Sequence, residues 1–169
     1  DEADDVLKEL ITRASEIMAA DSAVLVLYES NGQLNFRVQF AGGEASVVAP
    51  EPVRNKLILR AAGMNAPLRY PEDIGGGKFD WQFKEQTIHA ETAALVPLKM
   101  KETLIGALWL GRTGGKPFTC TDLIGLGHIA NQVVIALEHA SMAARLQSLA
   151  VIEERSRIAR EMHDSLAQI

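Results

Sequence analysis

Apolar positions recur at intervals of three and four near the start of the chain. Val6, Leu10, Ala14, Ile17 and Met18 share one side of a helix predicted over residues 4–20, which Asp21 and Ser22 end. The period then changes. Residues 23–29 (AVLVLYE) are rich in β-formers, Ser30-Asn31-Gly32 supplies a turn, and residues 33–40 (QLNFRVQF) alternate in and out, so this segment reads as a hairpin closed by Gly42-Gly43. Pro50 and Pro52 introduce a helix expected over residues 53–62 and stopped by Gly63. Residues 64–87 are the least regular stretch, with Pro67, Pro71 and the run Gly75-Gly76-Gly77. Two further strands, 93–100 (AALVPLKM) and 104–111 (LIGALWLG), flank the turn Lys101-Glu102-Thr103. A loop over 112–117 leads through Phe118-Thr119 into a last helix that meets neither proline nor a turn cluster before Ile169. Gly125 and Gly127 are its weak points, at about 1 kcal/mol each. The sum is an α+β sandwich, four antiparallel strands with helices on one face and the irregular segment on the other.

The last helix outruns the body it belongs to. Residues 119–169 would span about 75 Å at the helical rise, so the second half is expected to project. Along it Met142, Leu146, Leu149, Ile152, Arg155, Ala159, Met162, Leu166 and Ile169 follow one another at 4, 3, 3, 3, 4, 3, 4 and 3, a heptad seam with one phase slip near Leu149–Ile152. An apolar stripe that outlasts its own domain needs cover from another chain, and a parallel homodimeric coiled coil is the expected cover. The charged run Glu153-Glu154-Arg155-Ser156-Arg157 beside the slip suits a solvated hinge.

Composition narrows the partners. The 169 residues include 17 basic and 22 acidic side chains, a formal charge of −5, with 47% hydrophobic and 5% aromatic residues. This is a globular domain with a helical appendage and not a disordered chain. Acidity and few aromatics argue against a nucleic-acid platform. Cys120 is the one cysteine, so neither an internal disulfide nor a cysteine-rich metal site is expected, and a reducing, cytoplasmic compartment is. Uninterrupted apolar runs such as residues 23–28 fall far short of a bilayer span, and the acidic start is no signal peptide. No membrane contact is expected within this segment, and a membrane anchor of the parent protein would lie upstream.

Two stretches carry a family resemblance. LVPLKMKETLIGALWLGR followed by PFTCTDLIGLGHIANQVVIALEHA is similar to the C-terminal half of a GAF domain. The likeness covers roughly residues 3–142 and implies a GAF sensory domain over 1–141. The sequence IEERSRIAREMHDSLAQ resembles the phosphoacceptor box of nitrate-sensor-like (NarX/DesK-like) two-component histidine kinases. That implies a signalling helix and the start of the dimerisation helix over 142–169. By this resemblance His163 is the phosphoacceptor, Asp164 the general base for its ring proton, and Gln168 the residue that positions water for dephosphorylating a response regulator. His163 directly follows the seam residue Met162, and imidazole, largely neutral near pH 7, can attack a γ-phosphate. Arg157 and Arg160 are candidates for attracting phosphate, or else are solvated helix charges paired with Glu153, Glu154 or Glu161.

The implied function is the sensory region of a kinase that uses ATP and Mg and hands phosphate to a response regulator. The alternative is a non-catalytic dimeric GAF protein that binds a small molecule or acts as a scaffold. The sequence reaches Ile169 without a second bundle helix or an ATP-binding domain, so this polypeptide by itself is expected not to phosphorylate itself. Gly75-Gly76-Gly77 is no phosphate loop, since no Gly-Lys-Ser/Thr follows it.

GAF domains cover their ligand cavity with the segment that corresponds to residues 64–92. Phe79, Trp81, Phe83 and His89 are therefore candidate lining residues for a small-molecule ligand, the alternative being aromatics that seal a filled core. Covalent bilin would need a cysteine there, whereas Cys120 opens the last helix. Iron–sulfur ligation and methionine-sulfoxide reduction need several cysteines, and the Asn-Lys-Phe-Asp-Glu signature of cyclic-nucleotide GAF domains is absent. Haem would need an axial histidine, for which His89 is offset from the expected place. His128 and His139 read as polar-face residues of the long helix.

Overall fold

The computed structural model describes residues 1–83 and 85–168. Helix α1 (Glu2–Ile17) starts at Asp1, whose carboxylate accepts a hydrogen bond from the Ala3 amide. It buries Leu7, Ile11 and Ala14 where it packs on the first three strands. These are β1 (Ser22–Tyr28), β2 (Leu34–Ala41) and β3 (Glu44–Pro52). Then come α2 (Lys56–Gly63), β4 (Leu68–Tyr70), β5 (Phe79–Phe83), β6 (Gln86–Ala90), β7 (Thr92–Met100), β8 (Thr103–Arg112) and α3 (Cys120–Ala167). Six strands form one antiparallel sheet in the order β3-β2-β1-β8-β7-β4, and β5–β6 is a separate hairpin.

The α+β class and the four central strands agree with the sequence pattern; the strand count does not. Nor does the inner side of α1, where Leu7 and Ile11 are buried and Val6 and Ile17 exposed. The helices do not all lie on one face either, since α2 shares a core cluster with β5–β6. Gly42 and Gly43 have φ of +62° and +80°, so they form a two-residue turn that sends the chain straight back as β3. Pro50 and Pro52 belong to that strand, at the edge of the sheet where a missing N–H is tolerated, and α2 starts later than expected. The irregular segment holds β4, β5 and the start of β6. Between β7 and β8 the turn is Lys101-Glu102 alone, both at positive φ, with Thr103 already in the strand.

Alternation along the strands sends Val24, Val26, Phe36, Leu95 and Trp109 to one face of the sheet. There they join Leu57, Ile58 and Ala61 of α2 and Phe79 and Trp81 of the β5–β6 hairpin in one core cluster. Leu108 and Leu110, equally buried, point to the opposite face, on which α1 lies. The strands approach most closely at Gly106, where a Cβ would stand 2.0 Å from the Val26 carbonyl oxygen. No other residue fits there.

Buried Arg112 fastens the end of β8 to both terminal helices. Its Nε and Nη2 donate to the Met18 carbonyl at 3.1 and 2.5 Å, and Nη1 donates to Lys116 and Pro117 carbonyls at 3.3 and 2.9 Å. The guanidinium lies 3.8 Å from the centre of the Phe118 ring and 4.0 Å from the Asp122 carboxylate. Thr119 and Asp122 cap α3 reciprocally, each side chain accepting from the other's amide.

The chain divides into two compact units, Asp1–Ala136 and the stretch from Leu137 onward. In the first, α3 buries Leu126, Ala130, Val133 and Val134. By length and composition α3 is long and apolar enough to cross a membrane, although no single run in it is; these four buried residues account for part of that hydropathy as protein core.

Candidate functional site

The β5–β6 hairpin positions the aromatics that the sequence singled out. Phe79 and Trp81, two apart on β5, both point inward, and Trp109 meets them edge-on at 6.1 and 5.3 Å between ring centres, with Phe36 at 6.5 Å. Phe83 is half-buried against the same cluster. His89 is not brought in with them. It pairs with Asp80 across the hairpin and is exposed, because alternation on β6 turns Ile88 and Ala90 inward. The expectation that all four line one cavity is corrected accordingly: Phe79 and Trp81 fill the space beneath the hairpin, Phe83 packs at its margin, and His89 faces away.

What remains open is a cleft of about 330 Å³ at the mouth of this cluster, walled by Phe36, Pro52 and Trp81 and rimmed by Glu51, Arg54, Asn55 and Asp80. A wider depression of about 510 Å³ between α1 and the β2–β3 turn is shallower and edged by charged side chains such as Lys8, Glu9 and Glu44. Asn55 builds the cleft. Its side-chain oxygen caps α2 through the Ile58 amide at 3.0 Å. Its amide nitrogen donates to the Lys78 and Asp80 carbonyls and to the Asp80 carboxylate, at 2.8, 3.1 and 2.7 Å. One residue thus ties the hairpin to the helix, a role that no local sequence signal beyond the helix cap announces. The indole nitrogens of Trp81 and Trp109 are buried and donate to nothing among the described residues. An unmade buried donor costs about 1–3 kcal/mol.

The second set of candidate residues lies on α3. Every residue from Ser141 to Gln168 is exposed, including Met142, Leu146, Leu149, Ile152, Met162 and Leu166, the last at 69%. Val151 and Ile158, seven apart and also exposed, widen the stripe after the slip; single-file seam counting passes over them. Ile169, the last seam position, lies outside the described residues. His163 and Asp164 are exposed neighbours, and no hydrogen bond joins them or engages either with another described residue. Gln168 falls just past Ala167, where α3 ends.

The two candidate arginines differ. Arg157 donates to the Glu154 carboxylate at 2.5 and 3.0 Å and to Glu161 at 2.5 Å. These hydrogen bonds lower the Glu154 pKa and raise that of Arg157. Arg160, one turn before His163, has no such partner among the described residues. Among the described residues no group of three or more His, Cys, Asp or Glu side chains is placed to hold a metal ion.

A family model described as GAF domain matches residues 2–139, and the chain belongs to that family. Among solved structures it is similar to the second GAF domain of DevS from Mycobacterium smegmatis, with a TM-score of 0.59 and 23% identity over 85% of this chain and 99% of that one. The GAF domain of a two-component sensor histidine kinase from Bacillus halodurans gives a TM-score of 0.57 at 15% identity, covering 83% and 97%. A GAF domain from a phosphoenolpyruvate-protein phosphotransferase of Coxiella burnetii gives 0.64 at 14%, covering 85% and 86%. At these identities the likeness is one of fold, and the fold serves proteins with different tasks.

Proposed function

We propose that this chain is the sensory region of a cytoplasmic two-component histidine kinase of the NarX/DesK-like class, in which the GAF domain governs phosphorylation of His163 and transfer to a response regulator. The observation that carries this reading is the uncovered apolar stripe of α3, which runs up to Met162 with His163 and Asp164 immediately beside it. Two copies packed along that stripe form a parallel coiled coil and hold two imidazoles at its edge. The Nε2 of His163 attacks the γ-phosphorus of ATP, the bond to ADP breaks, and the Asp164 carboxylate accepts the proton of Nδ1. Magnesium arriving with ATP would neutralise phosphate charge. Arg160 is free to meet the phosphoryl group, whereas Arg157 is held between two glutamates. Gln168 orients water toward a phospho-aspartate on the regulator.

Arg112 supplies the link to the sensor. Because it clasps the end of α1 and sits against Phe118 and Asp122, a shift within the sheet is passed to the start of α3. The slip at Leu149–Ile152 gives the paired helices two packings to choose between. In the intact kinase, a seven-residue helical insertion after Leu149 turns the following helix by only about 20°, and four residues turn it by about 40° the other way. The longer insertion is expected to preserve basal His163 phosphorylation and the shorter to change it by about tenfold. Equal disturbance by both would contradict signalling through helix phase.

A further inference from the structure

We propose that the cleft at the mouth of the aromatic cluster binds a small zwitterion, an α-amino acid with an apolar side chain. The proposal rests on the sensory reading of the GAF domain and names the class of molecule sensed.

The charges of the rim select the class. Arg54 and Glu51 both border the cleft, both are exposed, and neither has an ion-pair or hydrogen-bond partner among the described residues. The third charged group, Asp80, is already committed to the Asn55 amide at 2.7 Å. That neutral amide leaves the Asp80 carboxylate charged, so the rim offers one cation, Arg54, and two anions, Glu51 and Asp80. A purely anionic guest leaves Glu51 unmatched and repelled, and a purely cationic one leaves Arg54 so; a guest carrying both charges answers both.

Shape and wall chemistry fix the rest. Phe36, Pro52 and Trp81 give an apolar surface, and about 330 Å³ sits at the small end of the range for small-molecule sites, too tight for a nucleotide or a tetrapyrrole. The cleft is also held in shape before any guest arrives, because Asn55 locks the hairpin strand to the start of α2. A guest that bridges Glu51 and Arg54 spans the end of β3 and the approach to α2, and presses on Trp81, which touches Trp109 at the centre of the sheet.

Isothermal titration of the purified chain with leucine, isoleucine, valine, methionine and phenylalanine, one at a time, tests this. At least one is expected to bind saturably. Arg54→Ala and Glu51→Gln, both surface changes, are each expected to weaken that binding by about tenfold or more. Analogues of the bound amino acid that lack the amine or the carboxylate are expected to bind at least tenfold more weakly. No saturable binding of any of the five, binding indifferent to both charge substitutions, or equal binding of a single-charge analogue would each overturn the proposal. The titration does not involve His163, so its failure leaves the phosphoacceptor reading standing, and loss of that reading leaves the titration interpretable.

Discussion

Exchanging His163 for glutamine is expected to remove all phosphate that the chain, if it acts as proposed, acquires when joined to, or mixed with, the ATP-binding domain of a NarX/DesK-like kinase. The phosphate carried by the unaltered chain should be labile in acid and stable in base, as a phosphoramidate is and a phosphoserine is not. The neighbours should fail in a graded way. Asp164→Asn keeps the proposed nucleophile and removes the proposed base, so phosphorylation is expected to slow by about 10²–10⁴-fold without vanishing. Gln168→Ala leaves phosphorylation of His163 intact and slows dephosphorylation of the regulator. A scaffold in which the His-Asp pair is incidental predicts no phosphate at all, and a structural role for His163 predicts no such gradient.

Trp109→Ala carries the largest expected loss of stability. Trp109 is fully buried, and its ring meets Phe36, Phe79 and Trp81 edge-on, so it joins the sheet to the hairpin that lies over it. Truncation leaves a cavity that three rigid rings cannot collapse into, at about 3–5 kcal/mol. For a domain of this size, thermal unfolding followed by circular dichroism should show a fall of roughly 10–20 °C. Trp109→Phe keeps part of the contact and should cost less. A shift within a degree or two for the alanine variant would show that the hairpin is held by something other than this aromatic cluster.

The four central strands and three helices were legible because their periodicities are long and uninterrupted: SAVLVLY and TLIGALWLG leave little choice of structure. What escaped was local backbone chemistry. Gly42-Gly43 reads as the end of a unit, yet two left-handed residues make a hairpin turn, and Pro50 and Pro52 sit within a strand because that strand is an edge. Short β4 pairs with β7 well along the chain, and β5 and β6 pair only with each other; none of the three carries a pattern of its own.

The site was legible to different depths. Phe79 and Trp81 were placed in the right region, but only their register shows that they fill it, and only the alternation on β6 shows His89 turned outward. Asn55 shapes the cleft through Lys78 and Asp80, 23 and 25 positions away, and Arg112 reaches Met18, 94 positions away. A single sequence offers no spacing rule for such contacts. By contrast, the stripe of α3 and the place of His163 beside it are properties of one helix, and the linear pattern contains them whole.

Sedimentation equilibrium of the purified chain tests the centre of the account. Met142, Leu146, Leu149, Ile152, Met162 and Leu166 are exposed in one chain and need a matching surface. The predicted result is a species of twice the monomer mass at micromolar concentration, reduced to the monomer when Leu146 and Leu149 are both replaced by aspartate. A chain that sediments as a monomer throughout that range, before any substitution, would contradict it.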